Sequence, residues 1–435
     1  MKLSYYLLES SLDNGGILLI NTRTENYCAL DSELADNFFN FKQSMNLDDL
    51  DLELKELLIE YQILIEENKD EYKCIVDGHW EERSNGNSVL SLILATTLGC
   101  NLRCSYCFEK NKQSINLSLD DEASIFKFVS SQLNESTEKL QITWFGGEPL
   151  LGIKSIERLS KRFLQLTTFR GKVYSSTIVT NGVFMTHENA KILKRALVSS
   201  VQITIDGTKE IHDKMRPAPN KGSYDDVIKG VMVSREYFNT SIRINLKRAN
   251  VNSIPTLLQN LATLGLVDIS LSFAVIFLDN QDSDMSDYLT QEEFAVIQLN
   301  LSRLAVKLGF TIGNVLGIAK NHLRCTALDP NHYTIEPRGY VHKCVDYVGK
   351  TKDAIGQIEE GEVSLKNSDK LWKNYSVFTV TPIEGEDDCG FCKYLPLCYG
   401  GCPKDRINGS DKRKYICTPL RFNLVDMIKL ELDIN

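Results

Sequence analysis

The chain has 435 residues, 43% of them hydrophobic and 25% charged, with 49 Lys and Arg against 58 Asp and Glu and a formal net charge of −9. That length and apolar content suit a sizeable core divided into two to four domains of roughly 100–200 residues each, and exclude disorder as the dominant state. The acidic balance gives no footprint for nucleic-acid or anionic-membrane binding, which need clustered cations; with no signal-peptide pattern in MKLSYYLLESSLDNGG and no apolar run of about 18 residues, a cytoplasmic protein without a membrane span is expected.

Residues 1–80 read as a small separate module. Three short strands are predicted at Ser4–Leu8, Gly16–Asn21 and Asn26–Leu30, and Asp31 is a good N-cap for a helix carrying Leu34, Phe38, Phe39 and Phe41. Leu52, Leu54, Leu57, Leu58, Tyr61 and Leu64 recur at helical spacing, so strands followed by helices suggest a winged-helix-like fold. The polar stretch Glu81–Ser88 reads as a linker. From residue 89 onward β-branched runs recur at Ser91–Thr96, Leu140–Phe145, Ser175–Thr180, Val201–Ile205, Ser241–Leu246 and Asp268–Val275. Between them lie helical patterns at Ile125–Leu133, Ile156–Leu166, Asn189–Ala196, Tyr224–Tyr237 and Ile254–Leu264. Six alternations predict an α/β fold with a parallel sheet and crossover helices, and either an open (β/α)6 barrel or a doubly wound sheet satisfies the pattern. Past about residue 310 the rhythm fades and a small module held by metal ligation is expected.

Twelve cysteines stand out, because reducing compartments disfavour structural disulfides. Cys28 and Cys74 stand alone and read as core thiols, while the other ten cluster, which points to metal or redox chemistry. Cys100, Cys104 and Cys107 form a C-x3-C-x2-C loop directly after the first strand of the alternating region. Three thiolates on one loop suit three irons of a cubane cluster, and no Cys or His lies within twenty residues of the trio to close a zinc site.

This loop, with Tyr106 and Phe108 flanking its last cysteine, resembles the radical S-adenosylmethionine superfamily. The resemblance implies a partial (β/α)6 TIM-like barrel over residues 81–310, S-adenosylmethionine held at the open iron of a [4Fe–4S] cluster, and its cleavage to a 5′-deoxyadenosyl radical. Gly146-Gly147-Glu148-Pro149 follows the second strand, where that family carries its GGEP motif. Adjacent glycines let backbone approach a ligand closely, and Glu148 is positioned to accept from the cofactor's ammonium. Asn181 and Thr204, at the ends of the third and fourth strands, are candidates for hydrogen bonds to the cofactor ribose or carboxylate. Asp206-Gly207, His212-Asp213 and Arg216 resemble a segment of the peptide- and protein-modifying branch, with His212 read as a scaffold hydrogen-bonder.

The C-terminal pattern is Cys325-x13-Gly339-x4-Cys344, then Cys389-x2-Cys392-x5-Cys398-x3-Cys402, then Cys417. It resembles the seven-cysteine SPASM extension, taken here as residues 311–435. A zinc ribbon accounts for four of these cysteines and leaves three. The resemblance implies two auxiliary [4Fe–4S] clusters, three in all, with Cys389, Cys392, Cys398 and Cys417 closing the distal one and Cys325, Cys344 and Cys402 holding the proximal one. The stretch Gly313–Arg324 supplies no fourth cysteine, so the proximal cluster is left with an open iron or a ligand such as His322, Asp329 or His332.

A strand-rich module ahead of a SPASM enzyme looks like the leader-peptide recognition element of ribosomal peptide maturases. Asn26–Leu30 and a helix near Glu53–Ile65 are then the walls of the groove, and a leader adds as a strand. The resulting expectation is a maturase that installs a thioether or a C–C, C–N or C–O crosslink in a ribosomally made precursor peptide, with flavodoxin or ferredoxin as electron donor. Two alternatives stand beside it: a sulfatase-type maturase forming formylglycine, and an iron–sulfur electron-transfer protein.

Overall fold

The computed structural model describes residues 1–85, 88–109, 113–276, 286–312, 325–365, 389–407 and 417–434. At the N-terminus β1 (Lys2–Leu3) pairs with β5 (Leu64–Ile65), and β2 (Leu7–Ser11), β3 (Ile17–Asn21) and β4 (Asn26–Leu30) form an antiparallel meander with β3 in the middle. The first meander strand starts at Leu7 rather than Ser4. Glu71 explains the shift, because its carboxylate accepts from Ser4 Oγ at 2.6 Å and from the Tyr5 amide at 2.7 Å, removing that amide from any ladder. Asp31 caps α1 (Ser32–Ser44) by accepting from the Leu34 amide at 3.0 Å.

Helix α2 (Leu52–Glu60) stops short of the expected Ile65, since Gln62 turns left-handed at φ 55° and the chain continues into β5. The expected linker is largely helix. In α3 (Glu71–Asn85) Glu71, Ile75 and His79 repeat every four residues and are buried, so the polarity of Glu81–Asn85 belongs to a helix end.

Six parallel strands follow: β6 (Val89–Ala95), β7 (Lys139–Phe145), β8 (Val173–Thr180), β9 (Val198–Thr204), β10 (Asn239–Leu246) and β11 (Ser270–Val275). They lie side by side in chain order. Sequential order with right-handed crossovers puts every connecting helix on one face, so the sheet is singly wound and the doubly wound alternative drops out. The helices are α4 (Leu119–Gln132), α5 (Ile153–Phe169), α6 (His187–Arg195), α7 (Lys209–Met215), α8 (Tyr224–Tyr237), α9 (Arg248–Val251) and α10 (Ile254–Thr263), with α11 (Gln291–Lys307) after β11. Alternation in the strands divides their duties. Leu92, Leu94, Ile142 and Trp144 are fully buried in the main core, while Ile93, Thr143, Gln202 and Arg243 line a cavity.

The sheet runs on past the expected boundary at residue 311. β12 (His332–Ile335) pairs in parallel with β6, and β13 (Tyr340–His342), β14 (Gly356–Glu359) and β15 (Glu362–Leu365) extend it antiparallel. Ile335, Val341 and Ile358 belong to the main core, so hydrophobic packing as well as any metal secures this segment.

The two ends of the chain meet. Leu12, Leu18 and Ile20 of the N-terminal meander pack against Leu397 and against Leu424 and Ile428 of the C-terminal helix Leu420–Leu432. Leu7, Ile17, Leu19 and Leu30 pack against the residues of α1 and α2, which is why Ile17–Ile20 is apolar without alternation.

Candidate active site

The cavity, about 470 Å³, opens at the carboxyl ends of the parallel strands. Cys100, Cys104 and Cys107 line it, together with Gly146 and Gly147, and Asn181 and Thr204 complete that wall. The loops after four successive strands thus converge on one space.

The cysteine loop is held mainly by backbone. Gly147 and Glu148 donate their amides to the Thr97 and Gly99 carbonyls at 2.9 Å each, and Arg103 and Ser105 donate to Pro217 and Met215, also at 2.9 Å. A Cβ on Gly146 would lie 2.3 Å from the Thr97 carbonyl oxygen and one on Gly147 2.2 Å from that of Gly99. The paired glycines therefore serve the close approach of two backbone segments, which sets the cysteine loop against the end of β7.

Glu148 is completely buried and turned inward. Its carboxylate accepts from Thr180 Oγ1 at 2.7 Å, the Asn181 amide at 2.8 Å and the Leu150 amide at 2.9 Å. Burial pushes its pKa up, and these bonds pull against that. The structure thus gives Glu148 the task of tying the ends of β7 and β8 together, and Pro149, also buried, starts the turn behind it. Asn181 reaches the loop itself, its amide donating to Asn101 Oδ1 at 2.8 Å and lying 3.8 Å from Cys100 Sγ.

A polar network beneath the loop carries the rest. The Tyr106 hydroxyl donates to Asp206 and accepts from Arg216 at 2.6 Å and from Asn245 at 3.2 Å. Asp206 also accepts the Asn245 amide at 2.9 Å, and Arg216 stands 3.5 Å from its carboxylate. His212 is buried, and burial together with the Arg216 charge lowers its pKa to about 3, so it is neutral. Its Nδ1 accepts the Asp206 amide at 3.3 Å and its Nε2 lies 3.1 Å from Ser223 Oγ, which donates to the Arg216 carbonyl at 2.6 Å. His212 is a scaffold group, as expected. The expected motif residues Asp206 and Arg216 are thereby coupled to the cysteine loop through Tyr106. Arg243, Asn245, Asp346 and Lys404 also line the cavity, unexpected from the motifs; the first two carry a readable signal, since they stand two apart on a strand whose alternate residues Ile242, Ile244 and Leu246 are core.

Residues 94–261 match the family model of the Radical SAM superfamily. These residues form a radical SAM domain. The chain is 26% identical over 348 residues to a cysteine-type anaerobic sulfatase-maturating enzyme of Clostridium novyi, spanning 73% of this chain and 89% of that one. It is 30% identical over 171 residues to a GTP 3′,8-cyclase of Clostridium acetobutylicum, spanning 39% and 48%. Among solved structures, native anSMEcpe with bound AdoMet superposes with a TM-score of 0.63 at 19% identity, over 79% of this chain and 99% of that one. Streptococcus suis SuiB bound to precursor peptide SuiA superposes with a TM-score of 0.55 at 16% identity, over 95% and 98%. These likenesses show a shared fold.

A radical SAM domain works with S-adenosylmethionine and a [4Fe–4S] cluster. The residues of the cavity fit that pair, with three soft thiol donors on one wall and polar side chains around the remaining space. The C-terminal cysteines fall into groups as well. Cys417, Cys392 and Cys389 are electrostatic neighbours of Cys398, so these four lie together, and burial pushes the Cys398 thiol up to about 12. Cys325 and Cys344 lie close enough to influence one another, with Cys344 likewise pushed to about 12 by burial. Such thiols stay protonated until a metal displaces the proton. Among the described residues no three His, Cys, Asp or Glu side chains converge on a single metal ion; a cluster spreads its ligands over several irons.

Other candidates are placed elsewhere. His332 lies in the β12–β6 ladder, its ring nitrogens 3.3 Å from Ser91 Oγ and 3.4 Å from Thr334 Oγ1, and Asp329 accepts the Asn331 amide at 2.8 Å. His322 and Gly313–Arg324 lie outside the described residues. Cys28 is half-buried against the N-terminal core and fits a core thiol, whereas Cys74 is exposed on α3 because the buried face of that helix is Glu71, Ile75 and His79. No helix among the described residues is long and apolar enough to cross a membrane.

Proposed function

We propose that this radical SAM enzyme is a peptide maturase that crosslinks side chains in a ribosomally made precursor. The observation that carries the reading is one of extent. The superposition on peptide-bound SuiB takes in 95% of the chain, against 79% for anSMEcpe, so the SuiB fold has room for the N-terminal meander as well as the radical SAM domain. Cys100, Cys104 and Cys107 would hold the cofactor-binding cluster, with Asn181 and Thr204 beside the bound S-adenosylmethionine. Bound there, the pair supplies a 5′-deoxyadenosyl radical able to take hydrogen from an unactivated carbon. Cys389, Cys392, Cys398 and Cys417 would close one auxiliary cluster, and Cys325, Cys344 and Cys402 would hold the other, with flavodoxin or ferredoxin as electron source.

The N-terminal residues would form a winged-helix-like recognition element. β4 is an edge strand of its meander, and an extended leader peptide would add to it by main-chain hydrogen bonds. The helix expected at Glu53–Ile65 is α2, with α3 following it in the chain, and the helix packed against β4 is α1.

A second reading, formylglycine formation in a sulfatase, is favoured by the 26% identity to the Clostridium novyi enzyme over 89% of its length. Mass spectrometry of a leader-bearing precursor, after anaerobic incubation with reconstituted enzyme, S-adenosylmethionine and reductant, separates the two. A crosslink gives a product two hydrogens lighter that lacks an aldehyde and fragments as a ring. An aldehyde trapped by a hydrazine at a single Cys or Ser overturns the crosslinking reading. Thiol alkylation of the product then distinguishes a thioether from the other bonds.

A further inference from the structure

The two groups of C-terminal cysteines sit in different electrostatic surroundings. Asp346 is an electrostatic neighbour of both Cys325 and Cys344, and it is itself paired with Lys404 at 2.9 Å. Among the described residues, two cations stand beside the group of Cys389, Cys392, Cys398 and Cys417. Burial pushes the Cys392 thiol up, and the Arg421 charge pulls against it. Arg406 is in direct contact. It lies on the short helix Pro403–Ile407, and its Nη1 donates to Cys389 Sγ at 3.6 Å and to the Gly400 carbonyl at 3.2 Å. Tyr399, Gly400 and Gly401 all have positive φ, at 45°, 87° and 83°, so the chain turns sharply between the helix Leu395–Cys398 and the helix that carries Arg406. The Arg406 Nε is buried without a hydrogen-bond partner, and among the described residues no carboxylate lies in ion-pair reach of the guanidinium. A cation whose side-chain partner is a cysteine sulfur is matched to an anionic group on that sulfur.

We propose that Arg406 sets the electron affinity of the iron–sulfur cluster bound at Cys389, Cys392, Cys398 and Cys417, so that this cluster is reduced before the one at Cys325, Cys344 and Cys402. Thiolate ligands leave such a cluster anionic, and an added electron makes it more so. A guanidinium N–H aimed at a ligand sulfur therefore stabilises the reduced form more than the oxidised one and raises the potential. Arginine suits the task because it stays charged across the working pH range, so the potential does not drift with protonation of the donor. At the other cluster the Lys404 charge is matched by Asp346, which leaves the local balance close to neutral. An electron given to either cluster then settles on the one beside Arg406. The inference rests on the auxiliary-cluster reading of these cysteines and not on which bond the enzyme makes in its substrate.

The experiment compares wild-type, Arg406→Lys and Arg406→Gln proteins, anaerobically reconstituted and matched for iron, sulfide and circular dichroism, in redox titrations followed by electron paramagnetic resonance. The signal lost on changing Cys389 and Cys392 to Ala identifies the cluster beside Arg406, and the signal lost on changing Cys325 and Cys344 to Ala identifies the other. In the wild type the first has the higher midpoint potential. Arg406→Gln makes its reduction roughly ten-fold less favourable, a midpoint lower by about 59 mV for a one-electron couple, and leaves the other signals in place. Arg406→Lys keeps the charge, loses the fork and lowers the midpoint by less; it decides the matter if Arg406→Gln fails to fold. An arginine that only braced the Gly400 turn would change stability and iron retention without moving this one midpoint. An unmoved midpoint in the variant that folds, equal shifts of all signals, or the reverse order of the two midpoints in the wild type overturns the proposal. If changing Cys389 and Cys392 removes no signal, the auxiliary-cluster reading itself fails and the proposal with it.

Discussion

The cavity and the junction of the two chain ends secure their cysteines by different means. At the cavity, Cys100, Cys104 and Cys107 ride a loop fastened by backbone hydrogen bonds to Thr97–Gly99 and to the Met215–Pro217 turn, all within the parallel-sheet region. At the junction, the segment between Cys389 and Cys402 is fastened by side chains from the opposite end of the chain. Tyr5 donates to the Phe391 carbonyl at 2.7 Å, Thr22 to that of Lys393, and Lys393 donates back to the Leu7 carbonyl at 2.8 Å. His79 stacks on Tyr399 at 4.9 Å. The first site is local and self-supporting. The second depends on residues almost four hundred positions away, so the N-terminal region is a structural wall of the cysteine-rich segment as well as a candidate recognition element.

The comparison breaks most visibly on deletion of residues 1–85. Removing the region exposes Leu397, Leu424 and Ile428 and frees the Cys389–Cys402 segment. The expected outcome is a poorly soluble protein that, after reconstitution, holds one cluster fewer by iron and sulfide analysis. A soluble truncation with its full iron content would show the regions to be independent.

Next in size is Leu18→Ala. Leu18 is fully buried in the junction, and truncating a core leucine costs about 2–5 kcal/mol, read as a lower midpoint in urea denaturation. Cluster loss in this variant should begin at the C-terminal cysteines while S-adenosylmethionine binding persists.

At the cavity, Glu148→Gln replaces an acceptor of three hydrogen bonds by an amide that can match only part of the set. It should cost about 1–3 kcal/mol of stability and weaken S-adenosylmethionine binding, because Gly146 and Gly147 lose their register against Thr97–Gly99.

The last effect is a pH slope. His212 and His332 are both held neutral, with pKa values lowered by burial from 6.5 to about 3. The unfolded chain takes up protons at these positions below about pH 6.5 and the folded chain does not, so stability falls as pH drops through the window from there toward 3. Urea midpoints measured between pH 7 and 5 should decrease, and His212→Gln should flatten the decline; an unchanged slope would contradict a neutral His212.

Much of this arrangement was legible in the residues. Cysteine spacing located the loop, and strand alternation placed Asn181 and Thr204 at strand ends on one cavity. The singly wound order was not legible, because periodicity records each strand's faces but not its neighbours. Nor was the continuation of the sheet through β12, since a four-residue strand such as His332–Ile335 has too little pattern to distinguish it from a loop. Glu148 reads as a ligand group from its motif, yet its orientation depends on Thr180 and Asn181, which become its neighbours only when β7 and β8 pair. The junction was hidden for the same reason: the polar end of α3 looks like a linker until His79 is seen against Tyr399.

The central claim is that Cys100, Cys104 and Cys107 build a radical SAM centre in the cavity. The most direct measurement is 5′-deoxyadenosine formation by the anaerobically reconstituted protein with S-adenosylmethionine and reductant. Wild-type protein should produce it, and replacing all three cysteines with alanine should abolish it and remove one cluster while the iron proposed to bind at the C-terminal cysteines remains. Cofactor cleavage at the wild-type rate in the triple variant would contradict the account.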